Sequence, residues 1–118
     1  MIVDDDENLG AVFETALQKS GLETVFALNG QSGIDKAKLE KPDLILLDQV
    51  LPDISGNEVL KTLKTDSHTQ QIPVLMLSNF SQEELVKEAI DSGAMDYIFK
   101  YQVEPQDLVN KVKQALKM

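Results

Sequence analysis

Four kinds of side chain in this sequence could do chemistry together if folding brought them to one place. Asp4, Asp5, Asp6 and Glu7 follow directly on the apolar Met1-Ile2-Val3. Asp48 ends the apolar run Leu44 to Leu47, Ser78 with Asn79 ends the run Val74 to Leu77, and Lys100 ends Tyr97-Ile98-Phe99. Crowded carboxylates repel one another, so the run at the N-terminus calls for a cation. Two or three carboxylates at one place make a hard-oxygen site suited to Mg2+ or Mn2+. A lysine beside them is a point charge suited to phosphate, and the Ser78 hydroxyl can donate to a phosphoryl oxygen. A carboxylate can itself become an acyl phosphate, and Asp48 is the natural acceptor. The metal would neutralise oxygens during the transfer.

Taken singly, these signals are weak. A charge run is usually a solvated turn, a lone lysine is a surface lysine, Ser78 can simply end a strand, and Tyr97 reads as half-buried aromatic packing. His68 lies in the polar stretch TDSHTQQ and carries no pattern. What strengthens the functional reading is that the acidic run follows a strand, with Asp48 and Lys100 at matching strand ends.

The elements alternate. MIV opens, and LGAVFETALQKSG sets Leu9, Val12, Phe13, Ala16 and Leu17 on one helical face and stops at Gly21. ETVFAL is a short strand, and GQSGIDKAKLEK is a weak helix that buries Ile34 and Ala37. DLILLD is apolar without alternation from Leu44 to Leu47, as for a strand covered on both faces. GNEVLKTLKTD turns Val59, Leu60 and Leu63 inward, and IPVLMLS is a second continuous strand. SQEELVKEAIDSG opens with a capping box, Ser81 with Glu84, and ends at Gly93. MDYIF is the fifth strand. EPQDLVNKVKQALKM starts with Pro105 in a first-turn position and turns Leu108, Val109, Val112 and Leu116 inward. Pro52 and Gly56 shape the loop after Asp48. The first strand is short, and a residue or two is expected ahead of it.

Five β-α units predict an α/β fold: a doubly wound, five-stranded parallel sheet with five helices and right-handed crossovers, forming one domain over residues 1–118. In such sheets ligands bind beyond the carboxyl ends of the strands. That rule collects Asp4, Asp5, Asp6, Asp48, Ser78 and Lys100 on one rim. The second strand ends without a reactive group at Leu28-Asn29.

Composition narrows the classes. The 118 residues are 42% hydrophobic, enough for a core, and contain no cysteine, which excludes disulfides, zinc-cysteine sites and thiol chemistry. No apolar run approaches the roughly 20 residues of a membrane span, and no signal peptide is visible, so the expected address is the cytoplasm. The formal charge is −9, from 20 acids against 11 lysines. Such a chain repels nucleic acid, which binds through phosphate neutralisation, and favours basic partners or cations.

The segments IVDDD, DLILLDQVLPDISG, IPVLMLSN and GAMDYIFK resemble, in order and spacing, the receiver domain of two-component response regulators, of the chemotaxis-regulator kind. The resemblance covers essentially the whole chain. It implies the flavodoxin-like strand order 2-1-3-4-5. It implies Asp48 as phospho-acceptor, Asp5 as direct metal ligand with Asp4 acting through water, and the Val50 backbone carbonyl as a further ligand. It also implies Ser78 and Lys100 as holders of the phosphoryl group and Tyr97 as the switch aromatic. The implied donor is a histidine kinase or phosphotransfer protein. The implied output is a changed surface on the fourth helix, fifth strand and fifth helix, read by an output domain, a target protein or a second copy of the chain after phosphorylation. On this reading the chain is a signalling domain rather than an enzyme, assisting only its own phosphorylation and autodephosphorylation. Three departures stand out. Asn79 replaces the usual Ala or Gly, Tyr101 replaces the proline after the lysine, and the loop after the fifth strand is a residue longer than in many relatives.

Competing motifs fit less well. An EF-hand loop from Asp4 would place Leu9 where Gly is needed and Thr15 where Glu is needed. Neither a Walker A sequence nor G-x-G-x-x-G is present, and DDDENLG would repel the phosphate of a flavin. The nearest enzyme alternative is a haloacid-dehalogenase-type phosphatase with Asp4 as nucleophile and Asp6 as acid/base. Asn8 stands where that family has Thr or Val, and no later acidic pair appears.

Overall fold

The computed structural model describes all 118 residues. Its elements are β1 (Ile2–Val3), α1 (Glu7–Lys19), β2 (Phe26–Ala27), α2 (Gly30–Glu40), β3 (Ile45–Leu47), α3 (Gly56–Thr65), β4 (Val74–Ser78), α4 (Glu83–Asp91), β5 (Asp96–Phe99) and α5 (Pro105–Ala115). The five strands form one parallel sheet in the order β2-β1-β3-β4-β5. Register places Val3 against Leu47 and Leu47 against Met76. The next residues on β1 and β3, Asp4 and Asp48, therefore stand level at the carboxyl edge.

The unbroken apolar strands follow from cover on both faces. In β3, Ile45 and Leu47 point into one core with Val3, Val74 and Met76, closed by Ile34 and Ala37 of α2, Val59, Leu60 and Leu63 of α3, and Ala89 of α4. Leu46 points the other way, with Ile2, Leu75, Leu77 and Ile98, under Phe13 and Leu17 of α1 and Leu108, Val109 and Val112 of α5. Side chains alternate across a strand, so an apolar residue is needed at every position. Truncating a fully buried leucine such as Leu60 to alanine costs on the order of 2–5 kcal/mol.

Two helices differ from their sequence patterns. In α1, Phe13 and Leu17 are buried, but Val12 is 51% exposed. One residue is about 100° of helix turn, and the stripe that meets the sheet is too narrow to include both Val12 and Phe13. The Ser81–Glu84 capping box does not form: α4 begins at Glu83 behind Gln82, which makes no side-chain cap bond. Phe80 is held instead, its N–H donating to Ser78 Oγ at 3.1 Å and its carbonyl accepting from the Tyr97 hydroxyl at 2.9 Å. The chain turns into the helix only beyond that anchor. α4 is the lightly docked helix, with Ala89 its only fully buried residue. No helix is long and apolar enough to cross a membrane.

Candidate functional site

Four of the five strand ends, those of β1, β3, β4 and β5, deliver polar groups to the rim. Asp4 leaves β1 with 2% exposure; its Oδ1 accepts from the Asp6 N–H at 2.9 Å, and its Oδ2 lies 2.7 Å from Lys100 Nζ. Asp48 leaves β3 with 6% exposure; its Oδ1 accepts from the Gln49 N–H at 2.8 Å, and its Oδ2 lies 3.2 Å from the same ammonium. Lys100 leaves β5 and buries its side chain beside both carboxylates. Asp5 stays exposed, yet carboxylate oxygens of Asp4, Asp5 and Asp48 lie within 4.8 Å of one another.

Asp6 does not join them. It sits at the N-terminus of α1, where its Oδ1 accepts from the Leu9 N–H at 3.1 Å. That use as a helix cap removes one member of the expected acidic rim. It also removes the acid/base of the phosphatase alternative, which the family match below leaves unsupported. Val50 lies two residues past Asp48 in the loop to α3, and its carbonyl accepts no protein hydrogen bond.

The electrostatics follow from burial. Burial pushes the Asp48 carboxyl up to about 6, the Asp4 charge adds to this, and Lys100 and the Gln49 N–H oppose it. For Lys100 burial works against the charge, but the bonds and charges of Asp4 and Asp48 outweigh it and hold the ammonium above its ordinary value. Three carboxylates and one ammonium leave an excess of negative charge. At about 5 Å and an effective dielectric of about 20, each near pair of carboxylates repels by roughly 3 kcal/mol. The hard anionic oxygens of Asp4, Asp5 and Asp48 fit a small divalent cation such as Mg2+ or Mn2+.

Ser78 is completely buried at the end of β4, with its hydroxyl engaged by the Phe80 N–H. The Tyr97 ring is inside, 8% exposed, with its hydroxyl on the Phe80 carbonyl. Burial raises its pKa, and the Asp48 charge adds to this. The ring thus occupies the inward position that the switch reading gives it. Gln49 escaped notice in the sequence. It is buried beside Asp48, and only the neighbouring carboxylate marked its position.

The family model for the response regulator receiver domain matches residues 1–113. The phosphate regulon transcriptional regulatory protein PhoB of Pseudomonas aeruginosa is 38% identical over 117 residues, covering 99% of this chain and 51% of PhoB. The polar-differentiation response regulator DivK of Brucella anthropi is 38% identical over 100 residues, 85% of this chain and 81% of DivK. The chain thus spans about half the length of the transcriptional regulators it matches. Among solved structures, a CheY-like receiver domain protein from Methanospirillum hungatei superposes with a TM-score of 0.89 at 30% identity, covering 98% of this chain and 90% of the other. Chemotaxis protein CheY4 of Vibrio cholerae does so with 0.88 at 26%, covering 97% and 94%. These likenesses run the length of the sheet whose edge carries the acids and the lysine, and the chain belongs to the response regulator receiver domain family.

Proposed function

We propose that residues 1–118 work as one phosphorylatable unit in which Asp48 accepts a phosphoryl group from the phosphohistidine of a histidine kinase or phosphotransfer protein. The observation that carries this is the placement of Asp48: buried, level with Asp4, and 3.2 Å from Lys100. An Asp48 carboxylate oxygen forms the new bond to phosphorus, and the bond from phosphorus to the donor imidazole nitrogen breaks with its electron pair returning to that nitrogen. Asp48 must be ionised to attack, which a value of about 6 allows at neutral pH. Lys100 stabilises the charge that builds on the transferring oxygens. Asp5, Asp4, Asp48 and the Val50 carbonyl would hold Mg2+ or Mn2+, which supplies charge neutralisation for the transfer. The product carries about −1.5 to −2 in place of −1.

Ser78 is the group able to read that change, since its hydroxyl can leave the Phe80 N–H for a phosphoryl oxygen. The consequence falls on the β4–α4 loop and the α4-β5-α5 face, where Met95 and Tyr101 are exposed. We assign that face to an output domain, a target protein or a second phosphorylated copy. PhoB is a transcriptional regulatory protein by name. With a charge of −9 here, any DNA contact would fall to another domain. The chemistry of a cytoplasmic phosphorelay suits this chain, which would also assist its own dephosphorylation.

Acetyl phosphate with Mg2+ followed by peptide mapping tests the assignment. One phosphoryl group on the peptide containing Asp48, absent in Asp48→Asn, is the expected result. Modification at Asp4, or turnover of a phosphomonoester, would overturn it.

A further inference from the structure

The loop from Gln49 to Ser55 is fastened at two places. At its base the Gly56 N–H donates to the Gln49 carbonyl at 2.7 Å, and a side chain at Gly56 would run into the Asp48 carbonyl oxygen. At its tip Asp53 reaches the start of α2, where Oδ1 accepts from the Gly30 N–H and Oδ2 from the Gln31 N–H, each at 2.8 Å. Asn29 takes the next two donors of that helix, Ser32 N–H on its Oδ1 at 2.8 Å and Gly33 N–H on its carbonyl at 3.0 Å. Three of the N–H groups that α2 cannot pair within itself, those of Gly30, Gln31 and Ser32, are therefore paired, two of them by a residue more than twenty positions away. Gly30 has no room for a side chain because Ile54 and Val59 press on it. A carboxylate at a helix N-terminus is favoured by the dipole as well as by the bonds. Both bonds hold Asp53 below the usual carboxylate range.

Between base and tip lies Val50, whose carbonyl is open. We propose that Asp53 is a positioning residue for the metal site: by clamping the loop onto α2 it fixes the Val50 carbonyl at the rim beside Asp48. This rests on the reading of Asp4, Asp5, Asp48 and Val50 as metal ligands. A plain helix cap would affect stability alone; a positioning residue must also affect the cation.

Isothermal titration of Mg2+ into the full chain separates the two. Asp53→Ala is expected to weaken Mg2+ binding by about tenfold, the lower end of what is lost when support for a metal ligand is removed. Asn29→Ala removes a cap from the same helix without touching the loop, and should lower the melting temperature with Mg2+ affinity within about twofold of wild type. Asp53→Asn keeps one acceptor and serves should Asp53→Ala unfold; its affinity should fall by a smaller factor. Wild-type affinity in a folded Asp53 variant, or an equal loss in Asn29→Ala, overturns the proposal while leaving the metal site standing. A wild-type protein that binds no Mg2+ overturns the metal reading and the positioning role with it.

Discussion

Lys100 reaches Asp4 across two intervening strands. Its ammonium leaves the edge strand β5, passes the ends of β4 and β3, and stops 2.7 Å from the carboxylate that follows β1, closer than the 3.2 Å to Asp48. The cation is shared, and the nearer partner is Asp4 rather than Asp48, the acceptor proposed above. Asp48 is thus left partly uncompensated, which suits a group that must exchange its surroundings during a transfer.

The first prediction concerns that uncompensated charge. Mg2+ should raise the melting temperature, because a ligand that binds only the folded state stabilises it by about 2.7 kcal/mol at a concentration a hundredfold above its Kd. Asp5→Asn should abolish the rise at little cost to the metal-free protein, since Asp5 is exposed and makes no ion pair with Lys100. Thermal melts of both proteins in EDTA and in millimolar Mg2+ check this; an equal rise in Asp5→Asn would exclude Asp5 as a ligand.

The second concerns pH. The Asp48 carboxyl sits at about 6 when folded and near 3.9 when unfolded, so between those values the folded state holds the extra proton. Stability contributed by that proton is complete below about pH 4 and is lost as pH rises through about 6. In EDTA, urea midpoints of the wild type should therefore fall across this window. Asp48→Asn should lack that contribution and be more stable at pH 7 by roughly 1–3 kcal/mol. A less stable Asp48→Asn would mean that the bond to Lys100 outweighs the burial of the charge.

The third removes the cation. Lys100→Met leaves two buried carboxylates beside each other with no positive partner, a loss of about 3–5 kcal/mol. Mg2+ should recover part of this, because it replaces some of the missing charge. Denaturation with and without Mg2+ gives the comparison; a variant as stable as wild type in EDTA would show that the shared ion pair adds nothing to the fold.

How far the sequence revealed this arrangement depends on the range of the interaction. Leu44 to Leu47 announced a doubly covered strand because alternation is a local property, and Asp4 and Asp48 announced a rim because both follow such strands. The register that sets them level needed only parallel pairing. Val12 was misplaced because the width of the buried stripe depends on how α1 meets the sheet. The Ser81 box yielded to the anchoring of Phe80, and Asp6 left the rim to cap α1. Asp53 carries no signal in the sequence because its partners, Gly30 and Gln31, belong to another β-α unit. Contacts set by distant segments leave no local period to read.

The last prediction follows the phosphoryl signal. Tyr97 lies inside and is held at the Phe80 carbonyl. Ser78 and Tyr97 share Phe80, one through its N–H and the other through its carbonyl. A phosphoryl group that draws the Ser78 hydroxyl toward Lys100 must release the Phe80 N–H, loosening the loop ahead of α4, a helix with no side-chain cap and one fully buried residue. A phosphoryl mimic can shift such an equilibrium only through differential binding to the two arrangements, and the new Ser78 bond supplies that difference. On adding beryllofluoride with Mg2+, the Phe80 amide should therefore show one of the largest NMR shifts outside the rim, with changes continuing along Glu83–Asp91 and near Tyr101. The Tyr97 ring signals should change little. Ser78→Ala should bind beryllofluoride yet lose the Phe80 and α4 shifts. Shifts confined to Asp4, Asp5, Asp48, Ser78 and Lys100 would rule out the conformational output and leave a phosphoryl acceptor that works as a relay or a sink.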